Sequence, residues 1–306
     1  MNKVTVLGSL NVDTILRVKR FPKPGETLPL TGKSIAGGGK GANQAIAAAR
    51  AGAQTTFIGK VGQDAEGQFM VKQLTASGVV TNYVQHSTAA STGSAFILLD
   101  NSSENRILID GGTNQQVTPA DVDLAQPVIA ASDFLIAQFE TPQAATQHGF
   151  ELAQAANRRT ILNPAPATTT VPAQLLAVTD LIVPNETETE TLTGVHITDE
   201  QTMIKAAEKF QAMGVDTVII TVGSQGAFWM RNHEHGFVPA YKVAAIDTTA
   251  AGDTFIGALS SVLQADFSNL NAAVRFANRA SSLAVQKLGA QPSIPTAAEI
   301  SAAERA

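Results

Sequence analysis

The chain has 306 residues, 44% of them apolar and 15% charged, with a net charge of −5. It is long and apolar enough to bury a sizeable core, as one large α/β domain or two small ones, and is neither disordered nor fibrous. Having no cysteine, it cannot build a disulfide framework or a thiolate nucleophile, and having no long basic run, it lacks the electrostatic footprint of a nucleic-acid binder. No apolar run approaches the roughly 18 residues of a membrane span. Neither a membrane nor a nucleic acid is an expected partner, and a reducing cytoplasm is the expected setting.

Strand and helix patterns take turns along the chain. A strand is predicted at 4–7; it is too short for a signal peptide, and Asn11 and Asp13 follow directly. An Ala-rich helix is predicted at 41–51, a strand at 55–58 and a helix with an acidic first turn at 64–77. A strand at 134–137 precedes a helix at 142–157, which has Pro142 at its start. Strands at 160–163 and 181–184, a helix at 199–213, a strand at 217–222 and helices at 252–263 and 270–285 follow. This alternation implies a three-layer α/β/α, Rossmann-like fold around a mostly parallel sheet. Ligands in such sheets bind beyond the carboxyl ends of the strands.

Two segments break the rhythm. Residues 14–34 lack helical periodicity and carry Pro22, Pro24, Gly25 and Pro29. Residues 94–99 and 106–110 are β-rich and flank the polar turn Asn101-Ser102-Ser103-Glu104-Asn105, a hairpin pattern. Both read as excursions from a single domain spanning 1–306, together forming a small β-sheet lid at about 14–34 and 94–110.

Four motifs carry chemistry. Gly37-Gly38-Gly39-Lys40-Gly41-Ala42-Asn43 stands before the Ala-rich helix, where bare backbone and a helix start suit close approach of a ligand. A dinucleotide fingerprint would need an acid about 20 residues on, yet none occurs between Glu26 and Asp64. A P-loop ending at Gly32-Lys33-Ser34 would need glycine where Thr27 stands. The bland alternative is a tight packing loop, which would not require Lys40 and Asn43. The second motif is Asp247-Thr248-Thr249-Ala250-Ala251-Gly252-Asp253-Thr254-Phe255. Amides of Ala250, Ala251 and Gly252 at a helix start would form an anion hole, and Asp253 in the first turn could accept a proton from an attacking hydroxyl. Otherwise Asp253 merely favours the helix dipole.

In the third motif, Asn185-Glu186-Thr187-Glu188, Asn185 and Glu188 read equally as a capping box and as groups that organise the waters of Mg²⁺ around nucleotide phosphates. The fourth, Thr221-Val222-Gly223-Ser224-Gln225-Gly226, reads as a turn or a nucleotide-binding loop. His233 and His235 read as a solvated hairpin tip, with no third metal ligand evident.

Together these motifs resemble the ribokinase family of carbohydrate kinases, also called the phosphofructokinase-B family. The resemblance starts at Gly8-Ser9-Leu10-Asn11-Val12-Asp13 and Pro24-Gly25-Glu26-Thr27. It continues through Gly38-Gly39-Lys40-Gly41-Ala42-Asn43-Gln44-Ala45, Gly62-Gln63-Asp64 and Asn163-Pro164-Ala165-Pro166. The second signature at 247–255 and the tail Gly289-Ala290-Gln291-Pro292-Ser293 complete it.

The resemblance implies a ribokinase-like fold and transfer of phosphate from ATP to a sugar hydroxyl, with D-ribose giving D-ribose 5-phosphate as the foremost reaction. It implies that Asn11, Asp13, Gly39, Lys40, Gly41, Asn43 and Glu140 hold the sugar, and that Asp253 is the base beside Gly252. It implies nucleotide contacts from Asn185, Thr221, Gly223, Ser224, Gly226, Gly252 and Asn278, and Mg²⁺ ordered by Glu188 through water. A monovalent cation, K⁺, is implied at Asp247, Thr249, Ala284, Lys287, Gly289 and Ser293, with Lys287 contributing its carbonyl. A homodimer formed through the lid is also implied. Relatives acting on deoxyribose, a ketohexose or a nucleoside are alternatives, as is a catalytically dead sugar-binding regulator. Only Phe21 and Phe96 supply aromatic surface in the lid stretches, which argues against a purine nucleoside.

Overall fold

The computed structural model describes residues 1–102 and 104–305. In chain order, β1 (Lys3–Leu7), β2 (Asn11–Arg17) and β3 (Gly32–Gly38) precede α1 (Lys40–Arg50), β4 (Gln54–Gly62) and α2 (Ala65–Ala76). Then come β5 (Val80–Ser87), β6 (Gly93–Leu99), β7 (Asn105–Asp110), a 3-10 turn (Gly112–Gln116), α3 (Pro119–Asp123) and α4 (Gln126–Ala131). Next are β8 (Phe134–Ala137), α5 (Gln143–Ala155), β9 (Arg159–Leu162), α6 (Ala173–Ala177), β10 (Leu181–Ile182), α7 (Glu186–Thr193) and α8 (Glu200–Ala212). The remaining elements are β11 (Thr217–Val222), β12 (Gly226–Arg231), β13 (Glu234–Pro239), α9 (Ala251–Val262), α10 (Leu270–Ala284) and α11 (Ala297–Arg305).

Nine strands form the large sheet in the order β13-β12-β11-β10-β9-β8-β1-β4-β5. It is parallel except at β11–β12 and β12–β13, which pair antiparallel. Alternation along each strand feeds two apolar layers. Val6, Ile161 and Ile219 face the layer holding Ile46, Leu259 and Val274, while Leu7, Leu162 and Ile220 face the layer holding Phe150 and Phe210. The expected α/β/α sandwich is therefore present, with edge strand β5 added to the elements read from sequence. No helix among the described residues is long and apolar enough to cross a membrane.

The second sheet has the order β3-β2-β6-β7. β2 pairs antiparallel with β3 and parallel with β6, and β7 closes on β6 antiparallel. Its first strand starts at Asn11 rather than at residue 14, so Asn11 and Asp13 belong to this sheet. Ser103 of the expected hairpin turn lies outside the described residues. Asp64 and Asp199 prove to be N-caps just outside their helices, accepting from Gly67 N at 2.7 Å and Thr202 N at 2.9 Å. His235 lies within β13, not at the hairpin tip, which Asn232 and His233 form with positive φ.

Two helices are brought unusually close. A Cβ on Gly257 of α9 would collide with Ala47 Cβ and lie 2.6 Å from Ala48 N and from Gln44 O of α1. Only a glycine facing an alanine-rich stretch permits this approach. One turn earlier on each helix stand Asp253 on α9 and Asn43 on α1.

Candidate active site

The loops following β1, β8, β9, β10 and β11 emerge along one edge of the large sheet and carry Ser9, Glu140, Asn163, Asn185 and Gly223. This is the carboxyl edge, where the crossover geometry leaves room for ligands. Two clefts open there. The smaller, about 210 Å³, is lined by Lys40, Asn163, Asn185, Glu188, Gly252 and Asp253 among others. The larger, about 650 Å³, is bounded by Thr221, Ser224, Tyr241, Phe255 and Asn278. Asn185, Thr221, Thr248, Ala251 and Gly252 border both.

Asp253 stands buried in the first turn of α9. Its Oδ2 accepts from Asn43 Nδ2 and its Oδ1 from Gln44 Nε2, each at 3.0 Å. Gln44 is held in turn by Gln138, whose Nε2 donates to Gln44 Oε1 at 2.6 Å, and its own Nε2 also reaches Asn163 Oδ1 at 3.1 Å. Asn43 Oδ1 is buried and without a partner among the described residues, which marks it as an acceptor awaiting a donor. The helix start is formed by Ala250 in the left-handed region at φ 59° with no side-chain cap. Ala251 N already donates to Thr248 O at 3.2 Å, so of the expected anion-hole amides those of Ala250 and Gly252 are left, together with that of Asp253. A Cβ on Gly252 would meet nothing within 4 Å, because this position faces the clefts.

On the other side of Lys40 lies a polar cradle. Glu140 Oε2 accepts from Lys40 N at 2.9 Å and from Ser9 Oγ. Gly39 has φ 87°, and a Cβ there would sit 2.9 Å from Asn11 N and Ser9 O; a Cβ on Gly41 would sit 2.5 Å from Ser9 N. Gly41 thus seats the helix start against the loop after β1. Burial disfavours the Lys40 ammonium, but the carboxylates of Asp253, Glu140 and Glu188 outweigh it and lift its pKa above the ordinary value. Asp13 is pushed up to about 7, chiefly by burial and further by the charge of Glu140.

Asn185 and Glu188 do form a capping box on α7. Asn185 N and Nδ2 donate to the two Glu188 oxygens at 2.9 and 3.0 Å, and Glu188 N donates to Asn185 Oδ1 at 2.8 Å. Glu188 is nonetheless buried and borders the smaller cleft, and burial raises its pKa. The capping-box reading is thus the one observed. Thr221 forms an isolated parallel bridge with Asn185, and both residues border the two clefts. Gly226 has φ 134° and a Cβ there would lie 2.8 Å from Ala240 N, whereas Gly223 (φ 43°) has open space beside it. Asn278 borders the larger cleft with its Nδ2 donating to Val238 O at 3.0 Å. Tyr241, which sequence reasoning missed, forms another wall of this cleft, its ring covered by the Arg279 guanidinium at 3.5 Å.

Asp247 ties two loops together. Its Oδ1 accepts from Thr249 N at 2.9 Å and Thr249 Oγ1 at 2.6 Å, and its Oδ2 accepts from Gly289 N at 2.8 Å. Ser293 Oγ donates to Ala290 O, and Ala284 is buried. The Lys287 ammonium is directed to Glu299 at 2.9 Å, away from Asp247. His233 and His235 lie outside both clefts, and no group of three acidic or histidine side chains suited to a metal exists among the described residues.

The sequence reading missed Gln138, Asn163 and Asn114 as site components. Gln44 and Asn163 do fall inside recognised motifs, so their type was visible and their partners were not.

Sheet, second sheet and paired clefts together define the class, a carbohydrate kinase of ribokinase-like α/β/α architecture. The chain belongs to the pfkB family of carbohydrate kinases, whose model matches residues 1–297. It is 48% identical over 300 residues to a ribokinase of Staphylococcus aureus, covering 98% of each protein. It is also 48% identical over 297 residues to the bifunctional ribokinase/ribose-5-phosphate isomerase A of Fructilactobacillus sanfranciscensis, where the match covers 97% of this chain but only 55% of that protein. The structure of Arabidopsis thaliana ribokinase complexed with ribose and ATP superposes with a TM-score of 0.92 at 30% identity, covering 98% of each chain.

Proposed function

We propose that this chain transfers the γ-phosphoryl group of ATP to D-ribose, giving D-ribose 5-phosphate and ADP. The observation that carries this reading is the 48% identity to a ribokinase over 98% of both chains. The chemistry of the site agrees. Asn11, Asp13, Gly39, Lys40, Asn43 and Glu140 hold the sugar, with Asn43 Oδ1 ready to accept from one of its hydroxyls. Asp253, held in place by two amide donors, takes the proton of the attacking hydroxyl. The free amides of Ala250, Gly252 and Asp253 receive the negative oxygens of the transferred group. ATP occupies the larger cleft, bounded by Asn185, Thr221, Gly223, Ser224, Gly226 and Asn278, with its phosphates toward Gly252.

The residues present fit magnesium only through water. Both Glu188 oxygens are engaged by Asn185, and among the described residues no group of three carboxylate or histidine side chains forms a metal-holding cluster. Bound with the nucleotide, the ion would neutralise charge on the phosphate oxygens. Asp247, Thr249, Ala284, Lys287, Gly289 and Ser293 are the groups for a monovalent cation such as K⁺ in this reading, with Asp247 joining the two loops through Gly289 and Lys287 turning its charge to Glu299. The second sheet acts as a lid over the sugar. Its edge strand β7 exposes Ile107, Leu108 and Ile109, at 51%, 66% and 64%, a surface that suits pairing with the lid of a second copy. We place this work in the cytoplasm.

The test is ADP release across a panel of pentoses, hexoses and nucleosides at fixed ATP. Ribose is expected to give the highest kcat/KM. A ketohexose or nucleoside exceeding it by about tenfold would overturn the ribose assignment.

A further inference from the structure

Asn114 lies in the 3-10 turn that follows lid strand β7 and is 1% exposed. Its amide reads a stretch of backbone. Leu10 N donates to Asn114 Oδ1 at 2.9 Å, and Asn114 Nδ2 donates to Leu10 O at 3.1 Å. A backbone N–H can only donate and a backbone C=O can only accept, so these two contacts fix which end of the Asn114 amide is which. The second proton of Nδ2 then goes to Asn11 Oδ1 at 2.7 Å. Asn11 is left with its Nδ2 making no hydrogen bond to protein among the described residues.

Gly93, at the start of β6, belongs to the same device. A Cβ there would collide with Asn114 Nδ2 and Asn11 Oδ1, and would sit 2.8 Å from Leu10 O. The space around the Asn114–Asn11 hydrogen bond is kept by the absence of a side chain.

We propose that Asn114 is a positioning residue that locks Asn11 as a pure hydrogen-bond donor toward the sugar, and thereby sets which hydroxyl pattern the site accepts. The inference rests on the sugar-kinase reading above. Asn43 Oδ1 can only accept, and the locked Asn11 can only donate. A hydroxyl facing Asn11 must present a lone pair, while a hydroxyl facing Asn43 must present a proton. Sugars lacking the hydroxyl opposite Asn11 leave a fixed, desolvated donor without a partner, which is the costly case.

The experiment compares D-ribose with its 2-deoxy and 3-deoxy analogues in wild type, Asn114→Asp and Gly93→Ala. Asn114→Asp keeps the volume and the acceptor for Leu10 N but removes the donor, so the Asn11 amide turns over. Gly93→Ala breaks the same hydrogen bond from the other side, and serves if the first variant does not fold. Expected is a rise of about tenfold in KM for ribose, roughly the worth of one hydrogen bond, and a similar loss of discrimination against one deoxy analogue. KM for ATP should stay unchanged. Variants that retain the wild-type preference, or that lose activity equally toward every sugar and ATP, overturn the inference alone. A wild type that phosphorylates none of the sugars overturns the ribose reading and the inference with it.

Discussion

Gly257 meets Ala47 with no room for a methyl group between them, and this contact sets the distance between the helix that carries Asp253 and the helix that carries Asn43. Replacing Gly257 by valine should force α1 and α9 apart. Overpacking of this kind costs about 1–3 kcal/mol of stability. The 3.0 Å bonds from Asn43 and Gln44 to Asp253 would be lost with it. Urea unfolding together with kcat checks this: a variant of unchanged stability and rate would show that the close approach is not needed.

Asp253→Asn keeps the shape of the base and removes its ability to take a proton. General-base loss is worth roughly 10²–10⁴ in rate. We expect kcat to fall by at least about two orders of magnitude with nucleotide affinity unchanged. Half of the wild-type rate in the variant would reduce Asp253 to a residue that serves the helix terminus.

Asp13 yields a pH-dependent signature. Its pKa is raised from 3.8 to about 7 on folding, so the folded state binds the proton more tightly than the unfolded chain. The stability tied to that proton is fully present below the unfolded value and is lost as pH rises through about 7. Asp13→Asn should match wild type near pH 4 and gain melting temperature over it between pH 5 and 8, while binding sugar less well. Parallel melting curves at all pH values would mean that Asp13 titrates normally.

Activation by K⁺ is expected because Asp247 joins the loop before the free amides to the loop carrying Gly289. An ion held between them would fix the amides of Ala250 and Gly252 where charge develops. Initial rates should rise when K⁺ is added to a sodium- and potassium-free buffer at constant ionic strength, and Asp247→Ala should abolish the response. A flat response in wild type counts against the site.

The alternation of apolar strands and helices made the large sheet legible from the sequence, because each buried strand is a short continuous apolar run. Edge strand β5 was missed because only one of its faces is covered and its sequence, Val80 to Ser87, is mostly polar. Asn11 and Asp13 stood out by residue type but were not legible as strand, since polar residues opening a strand look like loop. Asn114 could not be found from local pattern at all: its partner Asn11 is 103 positions away. Gln138 and Gln44, 94 positions apart, are the same case.

β2 runs unbroken from Asn11 in the cradle to Arg17 in the second sheet. Whatever repositions that sheet repositions Asn11 and Asp13 with it. On the proposed reading, in which Asn11 and Asp13 hold the sugar, sugar affinity and sheet placement are thermodynamically linked, and the linkage is reciprocal. Substitutions on the solvent side of β7, which touch no part of either cleft, will change the concentration of sugar needed for half saturation, and sugar will in turn change how readily that surface binds anything else.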